Sequence, residues 1–212
     1  MKADPQRSPP RSCSDCALRR APGVVPVTPQ ELRCIQDFRS STRRVASGQA
    51  IISECHAPGK LFTLYDGWAF RYKTLADGRR QILNFLLPGD FIGLQVEFAD
   101  EATHGVEALT DVQLCVFPQD GLWNLFHQEP KLGYDVTWLC ASEEQLVDEN
   151  LVTVGRRSAA ERIAMLLIHQ WRRAERVGLH EIAAGRLRLL QPQALERIAD
   201  YSTRPMRKLP LI

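Results

Sequence analysis

The sequence has no apolar run near the roughly 20 residues that a membrane-spanning helix needs. Its opening stretch, Met1 to Arg11, is polar and holds three prolines, with nothing apolar to act as a secretory signal. Together these absences point to a cytoplasmic protein without a membrane partner, its thiols reduced. Histidine is sparse as well. His56, His104, His127, His169 and His180 form no H-x-H pair, which argues against a metal enzyme built on converging histidines. His104 stands alone in a turn-like stretch and reads as a surface residue. There is no Ser/His/Asp order and no Gly-rich phosphate loop. Enzymatic function classes therefore fall away, and binding or regulation remains.

The charge is close to balanced at +2 but unevenly spread. From Arg156 to Ile212 there are 12 Lys/Arg against 5 Asp/Glu, a balance of +7, and residues 1–155 carry −5. A basic end on an acidic body suits a polyanionic partner at that end. A solvated helix surface would give the same count.

Residues 1–27 form a proline-interrupted, cysteine-containing lead. Thr28 is placed to cap a short helix starting at Pro29, with Leu32, Ile35 and Phe38 at helical spacing. From Arg43 to Phe117 the texture becomes short apolar runs broken by turns. Asp66-Gly67 and Asp77-Gly78 are hairpin signals, and Leu87-Pro88-Gly89-Asp90 is a further turn. Many short strands at this spacing predict an antiparallel sandwich or jelly roll. After Pro118 the period becomes helical. Asp120 is placed to cap a helix holding Leu122, Leu125 and Phe126, and Pro130 opens a longer one. On it Leu132, Leu139 and Leu146 are whole heptads apart, with Val136 between them, and Leu151 and Val154 extend the stripe with a slip. So narrow a stripe fits a seam between two subunits, or else a helix packed on its own domain. Gly155 is expected to interrupt this helix. Ser158 to Glu161 reads as a capping box, and Gly178 as a stop. Gln193 to Tyr201 looks helical, while Leu187 to Leu190 suits either a strand or the entry to that helix.

The order of these parts resembles the Crp/Fnr regulators. The resemblance is carried by Cys13-Ser14-Asp15-Cys16, Gly48-Gln49-Ala50-Ile51, Leu75 to Ile82, Leu87 to Gly93 and Ala159 to Ala164, and it runs from about Cys13 to Leu189. It implies an α+β chain: an N-terminal antiparallel β-roll, a jelly roll like a cyclic-nucleotide-binding domain, over residues 28–129. A dimerisation helix would follow over 130–155, with seam residues Leu132, Val136, Leu139 and Leu146. A partial winged helix-turn-helix region would occupy 156–212, a helical remnant of a DNA-binding domain. The implied partners are DNA, a second copy of the chain and RNA polymerase.

Three departures qualify the resemblance. Cyclic-nucleotide sensors of this family use a Gly-Glu pair and an Arg-Ser pair. Here those positions read Gly93-Leu94 and Ala102-Thr103, without the carboxylate and without the cation, so cyclic AMP is not expected. The oxygen-sensing branch holds an iron–sulfur cluster on four cysteines. Cys13, Cys16 and Cys115 match three of these metal-ligand positions, but the third N-terminal one falls on Pro22. Cys34 is the nearest spare thiol and lies on the first helix. A set one thiolate short disfavours a cluster and leaves the cofactor unidentified. Cys55 and Cys140 read as residues without chemistry. Last, the chain runs Ser202 to Ile212 where the family has a recognition helix, with Arg197, Arg204, Arg207 and Lys208 as the cations nearest that place. A shortened or frame-shifted copy would give this pattern, and altered or weak DNA binding is the expectation. The rival reading is a dimerising sensor or interaction module that has lost sequence-specific DNA binding.

Overall fold

Residues 12–57, 59–97, 101–178, 192–201 and 207–212 are described in this computed structural model. Helix α1 (Pro29–Phe38) starts on a complete capping box: Thr28 Oγ1 accepts from the Glu31 N–H at 3.2 Å, and Glu31 Oε2 accepts from the Thr28 N–H at 2.6 Å. This satisfies two of the N–H groups that every helix start leaves free. Proline at the first turn costs nothing there, since its missing N–H would have had no helical partner.

Among the described residues eight strands follow, in two four-stranded antiparallel sheets. The first sheet orders β1 (Ser41–Val45), β8 (Val112–Pro118), β3 (Lys60–Asp66) and β6 (Phe91–Ile92). The second orders β2 (Ala50–Ile52), β7 (Gly105–Ala108), β4 (Ala69–Thr74) and β5 (Arg80–Leu86). Their facing sides bury Val45, Ile52, Phe62, Leu64, Leu86, Ile92, Val106 and Leu114 in one core. The expected antiparallel jelly roll is thus present, and Asp77-Gly78 closes the β4–β5 hairpin with Gly78 at φ 81°. A short helix, α2 (Leu94–Glu97), follows β6.

Helix α3 (Leu122–Gln128) comes next, and here the expected cap fails. Asp120 lies inside a single 3₁₀ turn, Gln119–Gly121, and the residue capping α3 is Gly121, with no side-chain bond. Helix α4 (Pro130–Arg156) is 27 residues long and runs straight through Gly155. Glycine only weakens a helix by about 1 kcal/mol. The break falls at Arg157, where Ser158 caps α5 (Ala159–Arg176) through the expected box with Glu161. Gly178, at φ 73°, follows the end of α5 in the left-handed region. Residues Leu187 to Leu190 lie outside the described part. Helix α6 (Pro192–Ile198) packs on α5 through Leu195 and Ala199 against Ala164, Met165 and Ile168.

A second core lies on the outer side of the first sheet. It joins the lead (Cys13, Cys16, Leu18, Val24), α1, α3 and the first half of α4 to Leu209, Leu211 and Ile212. The chain past Arg207 is extended. Leu209 pairs in parallel with Val24: its N–H donates to Gly23 O at 2.7 Å, and its carbonyl accepts from Val25 N–H at 2.9 Å.

Two glycines separate conformational strain from collision. Gly67 has φ 86°, and a methyl group there would run into the Asp111 carbonyl, whereas Gly48 has φ 77° with open space around it. Gly48→Ala is expected to cost about 1 kcal/mol of left-handed strain. Gly67→Ala is expected to cost roughly 2–4 kcal/mol, because the β3–β4 turn must also move. Urea unfolding of the two variants checks the difference.

Candidate functional site

The three cysteines singled out from the sequence converge. Cys13 and Cys16 arrive on a 3₁₀ turn of the lead, fixed by the Cys13 N–H donating to Gln36 Oε1 of α1 at 2.6 Å. Cys115 arrives from β8, opposite Thr63 of β3. Arg19 bonds the Cys13 side chain, and Arg39 bonds that of Cys115. Burial pushes the Cys115 thiol up to about 11 against the pull of Arg39, and it raises Cys13 as well. Both are therefore neutral thiols at ordinary pH and poor nucleophiles.

The same pocket is closed by the chain itself. Thr63 Oγ1 donates to Ile212 O at 2.8 Å, and Arg19 Nη1 donates to Leu211 O at 2.9 Å. About 20 Å³ remains open among Cys13, Cys16, Cys115, Leu211 and Ile212, which is room for little more than one water. Cys34 is on α1, where Glu129 and Asp37 are its acidic neighbours, and it is not in the wall of this pocket. Among the described residues no group of three or more His, Cys, Asp or Glu is arranged to hold a metal ion. A four-iron cluster does not fit here: the fourth thiolate is missing, and the space is filled by Leu211, Ile212 and two guanidiniums.

The cyclic-nucleotide positions hold neither a carboxylate nor a cation. Gly93 sits at φ 105°, while Ala102 is buried and Thr103 is exposed. The roll does hold a buried cation, Arg71 of β4, at 8% exposure. Its partner is Glu143 of α4, so the protein supplies its own carboxylate to this guanidinium. The pair was not foreseen, because nothing local in either segment announces a contact 72 residues apart. His104 corrects another expectation: it is buried, not on the surface. Burial lowers its pKa to about 4, with Arg71 and Lys73 adding to the shift and Glu54 opposing it.

The residues expected to form a seam on α4 meet the subunit's own core. Leu132, Val136 and Leu139 are buried within the subunit, in the core that holds Leu122, Leu125 and Ile35. Leu146 is only half-buried. Tyr134, Val147, Leu151, Val152 and Val154 are the large apolar side chains of α4 that face out, and among them Val147, Leu151 (72% exposed) and Val154 share one line. Their 4-then-3 spacing is a heptad stripe in its own right. The first half of the long helix thus packs on its own domain, and its second half carries this exposed stripe.

Of the cations proposed to meet DNA, Arg197 is exposed on α6, and Arg207 and Lys208 are exposed on extended chain beside the docked Leu209. Arg204 lies outside the described residues.

Residues 42–129 match the model of the cyclic nucleotide-binding domain. The nitrogen fixation regulation protein FixK of Bradyrhizobium diazoefficiens is 32% identical over 89% of this chain and 76% of its own length. The chain belongs to the Crp/Fnr family. The transcriptional activator protein FnrL of Cereibacter sphaeroides is 28% identical, over 89% of this chain and 75% of its own length. In fold the Crp/Fnr chain is similar to FixK2 from Bradyrhizobium japonicum, with a TM-score of 0.64 at 20% identity, covering 78% of this chain and 98% of the other. This Crp/Fnr protein is a transcription regulator of that type.

Two measurements follow. Glu143→Ala leaves Arg71 buried without a carboxylate and is expected to cost about 2–3 kcal/mol in urea unfolding, below the full cost for a buried pair because Glu143 is partly exposed. The second is pH dependence. His104 takes up a proton near pH 6.5 when unfolded and near pH 4 when folded. The unfolded state therefore binds more protons between those values, and stability falls as pH drops from 6.5 toward 4. Thermal melts across that window should show a shallower loss for His104→Gln than for the native chain.

Proposed function

We propose that the regulator acts in the cytoplasm as a homodimer and meets duplex DNA through its basic C-terminal region, weakly and with little sequence preference, in response to a signal other than cyclic AMP. It has no enzymatic role in this reading, and RNA polymerase is its further partner. The observation that carries the proposal is the exposed Val147–Leu151–Val154 stripe running directly into the basic segment from Arg156 onward. A stripe of three apolar heptad positions favours pairing with a second α4, and that pairing would bring two basic segments side by side on one duplex.

Phosphate contacts from Arg197, Arg207 and Lys208 supply salt-sensitive affinity without reading bases. Base reading needs side chains held on an element inside the major groove. Arg207 and Lys208 are on extended chain tied to the lead, which does not offer that geometry. The absence of converging histidines and of a nucleophile–base arrangement in the sequence supports the non-enzymatic reading.

In a titration of a family-like palindrome against a scrambled duplex at near-physiological salt, the two affinities are expected to lie within about tenfold of each other. A preference of about a thousandfold, the range of specific regulators, would overturn the proposal. In sedimentation, Leu151→Asp is expected to yield monomers that remain folded, because Leu151 is outside the core. Leu139→Asp is expected to unfold the chain. A dimer unchanged in Leu151→Asp would place the seam elsewhere.

A further inference from the structure

The groove that holds Leu209–Ile212 has the form of a peptide site. Leu209, Leu211 and Ile212 are buried in it, while Arg207 and Lys208 just before them are exposed. The segment lies parallel to Val24 of the lead. Two main-chain bonds join them, from Leu209 N–H to Gly23 O at 2.7 Å and from Val25 N–H to Leu209 O at 2.9 Å. Two side chains then take carbonyls of the same segment. Arg19 donates to Leu211 O and Thr63 to Ile212 O. Bonds of this kind hold a main chain whatever side chains it carries, as in recognition by strand addition.

Side-chain selectivity comes from the walls. A methyl group placed on Gly89 would meet Leu209 Cδ2 at 2.8 Å, Val177 Cγ1 at 3.3 Å and Leu211 Cδ1 at 4.0 Å. Leu209 and Leu211 thus share the face over Gly89, as alternate residues of an extended chain do. Leu211 and Ile212 also reach the three-cysteine pocket beside Phe117. The groove therefore grips backbone through the lead, Arg19 and Thr63, and apolar side chains through Gly89, Val177 and Phe117. None of these contacts requires that the occupant be joined to the rest of the chain.

We propose that this groove is a binding site for extended apolar peptides with leucine-like side chains at alternate positions. The chain's own tail is its resident ligand, and a free peptide of the same class takes the tail's place. The occupant sits between the lead, the Gly89 turn of the roll and Val177 at the end of α5, so exchange releases Arg207 and Lys208 from the sensor. The use of that release in DNA binding rests on the regulator reading above. Peptide binding does not, so it is measured without DNA.

The probe is a fluorescein-labelled hexapeptide with the sequence of residues 207–212, followed by anisotropy on the full chain. The native chain is expected to bind it weakly, because the tethered tail competes. Leu209→Ser combined with Leu211→Ser weakens that competitor and is expected to tighten peptide binding about tenfold or more, the scale of one buried leucine side chain. Ile212→Ser removes less and is expected to tighten binding about threefold, which keeps the proposal testable should the double variant fail to fold. Adding Thr63→Val to either variant is expected to weaken binding about threefold, as loss of one neutral hydrogen bond does. A scrambled hexapeptide of the same composition is expected not to saturate. Peptide binding no tighter in the tail variants than in the native chain would overturn the proposal, as would an affinity unmoved by Thr63→Val. Equal binding of the scrambled peptide would overturn it too, by showing general attraction of its cations to the acidic body.

Discussion

The docking of Leu209–Ile212 under the lead is the constraint on which the rest of this structure depends. These residues are not helical, and their apolar side chains need cover. They find it between the lead and the first sheet, where Leu209, Leu211 and Ile212 are buried and their backbone carbonyls are taken by Val25, Arg19 and Thr63. The carbonyl of Leu211 also holds the Arg19 guanidinium over the thiols of Cys13 and Cys16. One short segment thus fixes the lead, fills the three-cysteine pocket and ties the basic end of the chain to the sensor.

A common physical solution links the buried Arg71 and the three-cysteine pocket. In each, a group that would otherwise need a ligand is satisfied from within. The buried Arg71 takes Glu143 of α4, and the thiols of Cys13, Cys16 and Cys115 are met by Arg19, Arg39 and the docked tail. A buried ion pair contributes little net stability, but losing either partner is costly, so such an arrangement resists replacement by a weak external ligand.

Much of the frame was legible in the sequence, because it is written in local chemistry. Thr28 with Glu31, Ser158 with Glu161, Asp77-Gly78 and Gly178 each act through neighbours a few residues away, and each stands where its residue types require. The meeting of Cys13, Cys16 and Cys115 came from the family resemblance rather than from spacing, and the fold does bring them together. What failed to show was long-range. The heptad leucines of α4 obey a period of seven on whichever face is buried, so periodicity alone did not say that Leu132 and Leu139 serve the subunit while Val147 and Leu151 face out. Leu209–Ile212, lying between prolines and charges, reads as a loop, and only the complementary gap beside Val24 makes it core. His104 looked superficial because no apolar alternation surrounds it. Its burial follows from the fold, which also brings the charges of Arg71 and Lys73 on β4 near it.

The central claim is that the three-cysteine pocket is closed by the protein and carries no iron–sulfur cluster. It is tested most directly by anaerobic reconstitution of the purified chain with ferrous iron and sulfide, followed by desalting and assay of iron and acid-labile sulfide per subunit. The account predicts neither element above background and no visible charge-transfer absorbance. About four irons and four sulfides per subunit, as a complete cubane cluster requires, would contradict it, and would mean that Leu209–Ile212 leaves the pocket and that a fourth ligand comes from elsewhere in the chain.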